Sequence, residues 1–329
     1  MAREAKVAYL SFLAPIKREL EEVEKVMLEK ISLTYQPLAE NVTQLIRGGG
    51  KRLRPALAIL ASKFHPADRG KVILLAASIE MLHTATLIHD DLIDNASSRR
   101  GLPTLNSMWP SAAVVLAGDH VFAGAASLAA RTGSPRVVRI IAETLQIICD
   151  GEIRQIFGAY GWPQDIKDYY YRIYAKTASL FAAATEAGGV LSKAPEGEIQ
   201  ALRKYGEYLG TAFQIVDDVL DFTGKEEEMG KPTGSDLRQG IVTLPVFYFM
   251  EDYNDSKLLL KALNARGEER GEAIATLVEL IRNSQAIKLS LDKAREFVIR
   301  AKEALSIFPD NQYRRIMLEL ADFVIERKI

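Results

Sequence analysis

Six aspartates fall into two clusters that repeat one pattern. His89-Asp90-Asp91-Leu92-Ile93-Asp94 and Asp217-Asp218-Val219-Leu220-Asp221 both contain D-D-x-x-D. On a helix, four-residue spacing stacks Asp90 with Asp94, and Asp217 with Asp221, one turn apart on one face, where unneutralised carboxylates repel. A cation is expected between them. Oxygen donors with no companion Cys or His cluster suit Mg²⁺, which takes carboxylate, water and substrate phosphate in octahedral geometry. A single cluster would also fit a solvated helix end. Two clusters, each embedded in apolar sequence where carboxylates are expensive to bury without partners, fit that reading poorly.

Such metals usually bridge to an anion, and basic residues supply the expected complement. Gly48-Gly49-Gly50-Lys51-Arg52-Leu53-Arg54-Pro55 sets three cations beside a glycine turn, and Arg99-Arg100-Gly101 follows the first aspartate motif. Taken singly, each resembles a solvated basic patch. Together with the aspartates they offer the forks and point charges that diphosphate oxygens accept. The glycine turn is not a Walker A loop, because it lacks the first-glycine spacing and the Ser or Thr after Lys51.

The elements that must position these residues read as helices. Apolar residues recur at three- and four-residue spacings over 5–31, 37–47, 53–64, 70–95, 111–131, 135–158, 165–190, 196–223, 236–251 and several stretches within 256–325. Turn-like Gly161-Trp162-Pro163, Gly230-Lys231-Pro232 and Phe308-Pro309-Asp310 punctuate them. Ile241 to Phe249 has strand-forming residues, but Pro245 would break a central strand, so a helix starting near that proline is expected. With no linker, repeat or low-complexity segment, residues 1–329 are expected to form one domain, a single large all-α bundle.

Composition narrows the class further. A chain 48% hydrophobic and 26% charged can build a large core, and a net charge of −1 gives no global attraction to nucleic acid. Cys149 is the only cysteine, which excludes an internal disulfide. The apolar run from Ser111 to Ala130 carries Asp119 and His120 at its centre, so a helix within the protein core is expected rather than a transmembrane segment. The N-terminus lacks the apolar core of a signal peptide, and a cytoplasmic protein is expected.

In order, G-G-G-K-R-L-R-P, H-D-D-L-I-D with R-R-G, G-D-H, K-T, F-Q-I-V-D-D-V-L-D and G-K-P-T-G-S-D-L-R-Q-G resemble the motifs of the trans-polyprenyl diphosphate synthases, across residues 43–250. The resemblance implies the isoprenoid synthase fold with a central cavity, and condensation of isopentenyl diphosphate with an allylic diphosphate. It further implies that Asp90, Asp94 and Asp217 ligate Mg²⁺, with Asp91, Asp218 and Asp221 as further ligands or support. Three ions per site are implied, with Mn²⁺ able to substitute. Lys51, Arg54, His83 and Arg100 would bind isopentenyl diphosphate, and Phe213 would pack on its prenyl group. Arg99, Lys176, Thr177, Gln214 and Lys231 would contact the allylic substrate, whose C1–O bond ionises before the isopentenyl double bond attacks. The loop Thr223 to Ser235 would close over the site, His89 and His120 are read as structural, and a homodimer is implied.

Product length is the finer question. One helical turn advances about 5.4 Å, close to one extended isoprene unit, so residues preceding Asp90 act as a depth gauge. Makers of short products carry a bulky aromatic four or five residues before that aspartate; here Thr86 and Ala85 are small and Leu82 moderate. Helix arithmetic puts Ala85 well off the Asp90 face, so its gauge role comes from the resemblance alone. The sequence resembles the long-chain branch, the heptaprenyl, octaprenyl and solanesyl synthases with products of six to ten isoprene units, whose release would involve transient membrane contact. The alternatives are a shorter geranylgeranyl or farnesylgeranyl product, or a non-catalytic subunit of a two-subunit synthase. A terpene cyclase would carry Asn, Ser and Glu where this chain has its second D-D-x-x-D.

Overall fold

Apolar spacing of three and four residues sets almost every element. The structure, a computed structural model, describes residues 11–32, 34–48, 50–99, 101–224, 232–253 and 256–326. Helix α1 (Lys17–Ser32) buries Val23, Met27 and Ile31, and α2 (Gln36–Arg47) buries Leu38, Val42 and Ile46, each one stripe wide. The next two, α3 (Leu53–Ala61) and α4 (Arg69–Ile93), are buried on most sides. Asp68 caps α4, its carboxylate accepting from the Lys71 N–H.

A hairpin of β1 (Ser98–Arg99) and β2 (Leu102–Pro103), paired antiparallel, follows the first aspartate motif. Gly101 turns it with φ +77°, in the left-handed region that glycine enters without penalty. Periodicity gave no sign of so short a hairpin. A short α5 (Leu105–Met108) leads to α6 (Ser111–Arg131) and α7 (Pro135–Gly158). The segment read as one helix over 165–190 is three pieces: α8 (Ile166–Ile173), a π-helical turn Tyr174–Ala178, and α9 (Ser179–Leu191). Beyond α10 (Glu196–Thr223) come α11 (Ser235–Arg238), α12 (Leu244–Asp252), α13 (Lys257–Asn264), α14 (Gly267–Arg282), α15 (Ala286–Ala304) and α16 (Gln312–Glu326). The helix expected over 236–251 is thus broken before Thr243, with Pro245 in the first turn of α12 as its fixed φ favours.

The main packing pairs are α4 with α6, α10 with α15, and α9 with both α10 and α3. Helices α4 and α6 are long and apolar enough to cross a membrane by length and composition; 72% of the most apolar window of α4 is buried in the bundle, against 44% for α6. The core placement expected for α6 therefore holds for one side only. Its other side leaves Val115 and Leu116 exposed, and the neighbouring α7 exposes Ile153, Ile156 and Phe157, the last at 87%.

Candidate active site

The π turn at Tyr174–Ala178 organises the site. The Ser179 N–H reaches back to the Tyr174 carbonyl, five residues away, so one extra residue is accommodated and Lys176 and Thr177 sit in a local widening of the helix. Two glycines let neighbours close on this turn. A Cβ on Gly151 of α7 would lie 2.4 Å from the Ala175 Cβ, and one on Gly210 of α10 would lie 2.6 Å from the Ala178 Cα. The residue after Gly151 is Glu152, whose Oε1 lies 2.8 Å from the Lys176 Nζ. One turn beyond Gly210 is Gln214, whose Oε1 accepts from the Thr177 hydroxyl at 2.6 Å. The turn thereby links α7 to α10.

It also links the two aspartate motifs. Asp90, at the end of α4, feels the Lys176 ammonium; burial pushes its carboxyl up to about 6, Glu152 and Asp94 push the same way, and Lys176 and Arg99 oppose them. Burial works against the charge on Lys176, but Glu152 and Asp90 hold its pKa above the ordinary lysine value. The β1–β2 hairpin returns Arg99 onto buried Asp91, with Nε and Nη2 both 2.8 Å from Oδ1. Burial raises Asp91, and Arg99 holds it down. Asp94 is exposed, at the C-cap of α4.

In the second motif Asp217 is half-buried, while Asp218 and Asp221 are 3% and 1% exposed. The carboxylate of Asp218 accepts from the Tyr169 hydroxyl at 2.7 Å and from the Gln214 amide at 2.9 Å. Burial and Asp236 raise its pKa, and those two donors oppose the rise. Asp221 accepts from the Asp236 N–H through Oδ2 at 3.1 Å and from the Gly234 N–H through its carbonyl at 2.9 Å, tying α10 to the start of α11. Asp91, Asp218 and Asp221 are therefore committed to protein partners, whereas Asp90, Asp94 and Asp217 are the more accessible three. Among the described residues no three His, Cys, Asp or Glu side chains close into a metal cage. The accessible carboxylates are donors of the kind Mg²⁺ takes one or two at a time, with water and substrate phosphate completing its shell.

Just past the glycines, Arg52 is held from three sides. Arg52, with a left-handed φ of 48°, donates to Glu80 of α4 at 2.9 Å and to the Ile46 carbonyl, and lies 3.8 Å from Glu24 of α1. Two residues on, the Arg54 guanidinium sits 4.8 Å over the Phe181 ring, which packs 5.4 Å from Phe213. Arg54 and Phe213, distant in sequence, thus meet across Phe181. Lys51 lies 5.6 Å from the Phe323 ring. A pocket lined by Gln44, Gly48, Ile88, Asp91 and Arg99 joins the glycine turn to the outer side of the first motif.

Helical phase places His83 and Thr86, both half-buried, on the Asp90 side of α4. Leu82 and Ala85 are buried, and Ala85 lies toward α6 with Ser78, which donates to the Ala125 carbonyl. His89 packs on Gly118 with Nε2 3.1 Å from the Val115 carbonyl, and His120 is exposed. Arg100, Lys231 and most of the Thr223–Ser235 loop lie outside the described residues. Sequence reasoning missed Glu152, Tyr169 and Phe181. Of these only Glu152 left a signal, an acid directly after a glycine in an otherwise amphipathic helix.

A family model described as polyprenyl synthetase matches residues 35–281. The chain is 37% identical to heptaprenyl diphosphate synthase component 2 of Geobacillus stearothermophilus, over 97% of this chain and 98% of that one. It is 33% identical to octaprenyl diphosphate synthase of Escherichia coli strain K12, over 93% and 94%. Among solved structures, a polyprenyl synthase from Caulobacter crescentus CB15, crystallised with calcium and isoprenyl diphosphate, superposes with a TM-score of 0.91 at 34% identity, covering 98% of both chains. The chain belongs to the polyprenyl synthetase family.

Proposed function

We propose that the whole chain, residues 1–329, works as one domain that adds isopentenyl diphosphate repeatedly to an allylic diphosphate, making a long all-trans polyprenyl diphosphate of about six to ten isoprene units, each unit advancing the chain by about one helical turn. What supports this is the π turn: Lys176 lies in the field of Asp90, and Thr177 donates to Gln214, which donates to Asp218, so one turn has links to both D-D-x-x-D motifs. Asp90, Asp94 and Asp217 are the side chains that would hold Mg²⁺, with Asp91, Asp218 and Asp221 supporting them. Bound there, the metal would neutralise charge gathering on the departing diphosphate. Lys176 adds a fixed positive charge beside that leaving group. Lys51, Arg54, His83 and Arg100 would grip isopentenyl diphosphate, Phe213 would pack on its alkene, and Arg99 and Lys231 would steady the allylic diphosphate. The allylic C1–O bond breaks, the isopentenyl C4 bonds to C1, and the C2 proton leaves to the released diphosphate. Thr177 and Gln214 present oxygen dipoles to the cation. The small Thr86 and Ala85, with Leu82 behind them, favour a long product over geranylgeranyl or farnesylgeranyl diphosphate, as do the heptaprenyl and octaprenyl names of the relatives.

Incubating the purified chain with farnesyl and isopentenyl diphosphates, with Mg²⁺, with Mn²⁺ and with a chelator, tests this directly. Metal-dependent diphosphate release with a prenyl ladder ending near heptaprenyl to decaprenyl supports it; a cyclic hydrocarbon, or no turnover both alone and with a second polypeptide, overturns it. For the assembly we propose a homodimer through the apolar side of α6 and α7, where Leu116, Ile153, Ile156 and Phe157 stay exposed. Sedimentation of the chain alone gives the state. A monomer that turns over only with a second polypeptide would mark it instead as the catalytic half of a two-component enzyme, as the component 2 name of one relative describes that protein.

A further inference from the structure

Tyr169 has no role in the chemistry above, yet it is fully buried and its hydroxyl ends a hydrogen-bond chain that begins at the reacting centre. The chain runs from Thr177 to Gln214 at 2.6 Å, Gln214 to Asp218 at 2.9 Å, and Asp218 to Tyr169 at 2.7 Å. Each link constrains the next. The phenol donates to one oxygen of Asp218. The other oxygen faces the Gln214 NH₂, which leaves the Gln214 carbonyl facing Thr177. An oxygen facing Thr177 can only accept, so the Thr177 hydroxyl must spend its hydrogen there and direct its lone pairs away from Gln214.

Given the prenyl-transfer reading of this site, we propose that Tyr169 is a positioning residue: through Asp218 and Gln214 it fixes the donor direction of the chain, so that Thr177 presents lone pairs rather than a hydrogen to the carbon that becomes positive. An O–H aimed at a developing cation would repel it, and an undirected hydroxyl would have to reorient during the step. The ring itself is held independently of the hydroxyl. It packs against Tyr170 at 5.3 Å and Phe247 at 6.0 Å, with the Arg172 guanidinium 5.5 Å over its face. Removing only the oxygen therefore leaves the packing in place.

The test is a kinetic double-mutant cycle in the full chain, with farnesyl and isopentenyl diphosphates as substrates. Tyr169→Phe is expected to lower kcat by about tenfold or more, a fraction of what loss of a group acting directly on developing charge costs. Both KM values should stay within about twofold, the split that marks an interaction made only in the transition state. In a Thr177→Val background, which has no hydroxyl to direct, Tyr169→Phe should change kcat no further. An unchanged kcat for Tyr169→Phe, a parallel rise in both KM values, or effects that multiply in the double variant would each overturn the proposal. If Tyr169→Phe does not fold, 3-fluorotyrosine at position 169, which keeps the ring and alters only the strength of the donor, takes its place in the same cycle. A changed kcat in the parent with none in Thr177→Val supports the inference, and equal changes in both defeat it. An unmodified chain that makes no prenyl product refutes the prenyl-transfer reading itself; an active chain indifferent to Tyr169 refutes only this inference.

Discussion

Lys176 and Glu152 face each other across the α7 contact at 2.8 Å, and Asp90 shares the field of both. The Lys176 side chain is about one-third exposed by area and that of Glu152 about one-eighth. The pair is therefore worth less to stability than a fully desolvated one, and its larger consequence is where it holds the ammonium. Lys176→Met is expected to cut kcat by about 10²–10³-fold, as loss of a preorganised charge at a leaving group does. Glu152→Gln keeps the lysine charged but loosens its position, with an expected loss of about tenfold in kcat/KM for the allylic substrate and little change for isopentenyl diphosphate. Steady-state kinetics with each substrate varied in turn separates the two; equal losses for both substrates from Glu152→Gln would mean that its role is structural.

Asp90 gives the metal-free protein a pH dependence of definite sign. Its carboxyl is raised from 3.8 to about 6, so the folded state binds a proton more tightly than the unfolded chain does. The stability this contributes is present below about pH 4 and is lost as pH rises through 6. The raised value corresponds to at most about 3 kcal/mol, reduced because Asp90 is only partly buried by area. Melting the chelated protein at pH 5 and pH 7.5 should show the higher Tm at pH 5. Asp90→Asn should reduce that difference, leaving the part that the raised carboxyl of Asp218 contributes with the same sign. A Tm that climbs from pH 5 to 7.5 in the parent and stays flat in the variant would contradict the sign.

The crossing of α9 and α10 is set by glycine. A Cβ at Gly206 would stand 2.4 Å from the Thr185 Oγ1 and 2.5 Å from the Phe181 carbonyl oxygen, the second a backbone atom with little room to give. Gly206→Ala should cost about 1–3 kcal/mol, read as a lower urea midpoint at constant slope. Because Gly206, Gly210 and Gln214 share one side of α10, prying the helices apart also strains the 2.6 Å link to Thr177. Loss of stability with unchanged kcat would show that the strain is absorbed before it reaches Gln214.

Much of this was legible in the sequence because the carriers are local. Asp90 with Asp94 and Asp217 with Asp221 are pairs within single helices, and helical periodicity follows from three- and four-residue spacing alone. Thus α6, α7 and α10 run essentially where periodicity puts them. What stayed hidden is non-local. No pattern around Tyr169 announces that its hydroxyl meets Asp218, 49 residues away, and Arg54 finds Phe213 only through Phe181. The π turn differs from an ordinary helix by one inserted residue, which apolar spacing cannot resolve. The β1–β2 hairpin exists to fold Arg99 back on Asp91, a purpose that appears only once both are placed.

In the proposed reaction, product length turns on the wall of α4. Ala85 is 2% exposed and lies toward α6, where Ser78 donates to the Ala125 carbonyl and Met81 approaches Gly124, while Thr86 and His83 lie on the Asp90 side. A prenyl chain growing away from the aspartates along α4 reaches the depth of both positions within two turns, a rise of about 11 Å, or roughly two isoprene units. Ala85→Phe adds a ring where only a methyl group now fits, so α4 and α6 must separate or the ring must turn into the path of the product. The second outcome is favoured, because the α4–α6 contact is the most extensive helix pairing among the described residues. Mass analysis of the extended prenyl diphosphate should show the distribution shortened by several units, with the first condensation proceeding at a rate within about threefold of the parent, since the substrates do not reach that depth. Thr86→Phe should act in the same direction one position nearer the aspartates and give a shorter limit still. If Ala85→Phe leaves the length distribution unchanged while Thr86→Phe shortens it, the product runs along the His83–Thr86 side alone, and Ala85 only lets α4 and α6 pack closely.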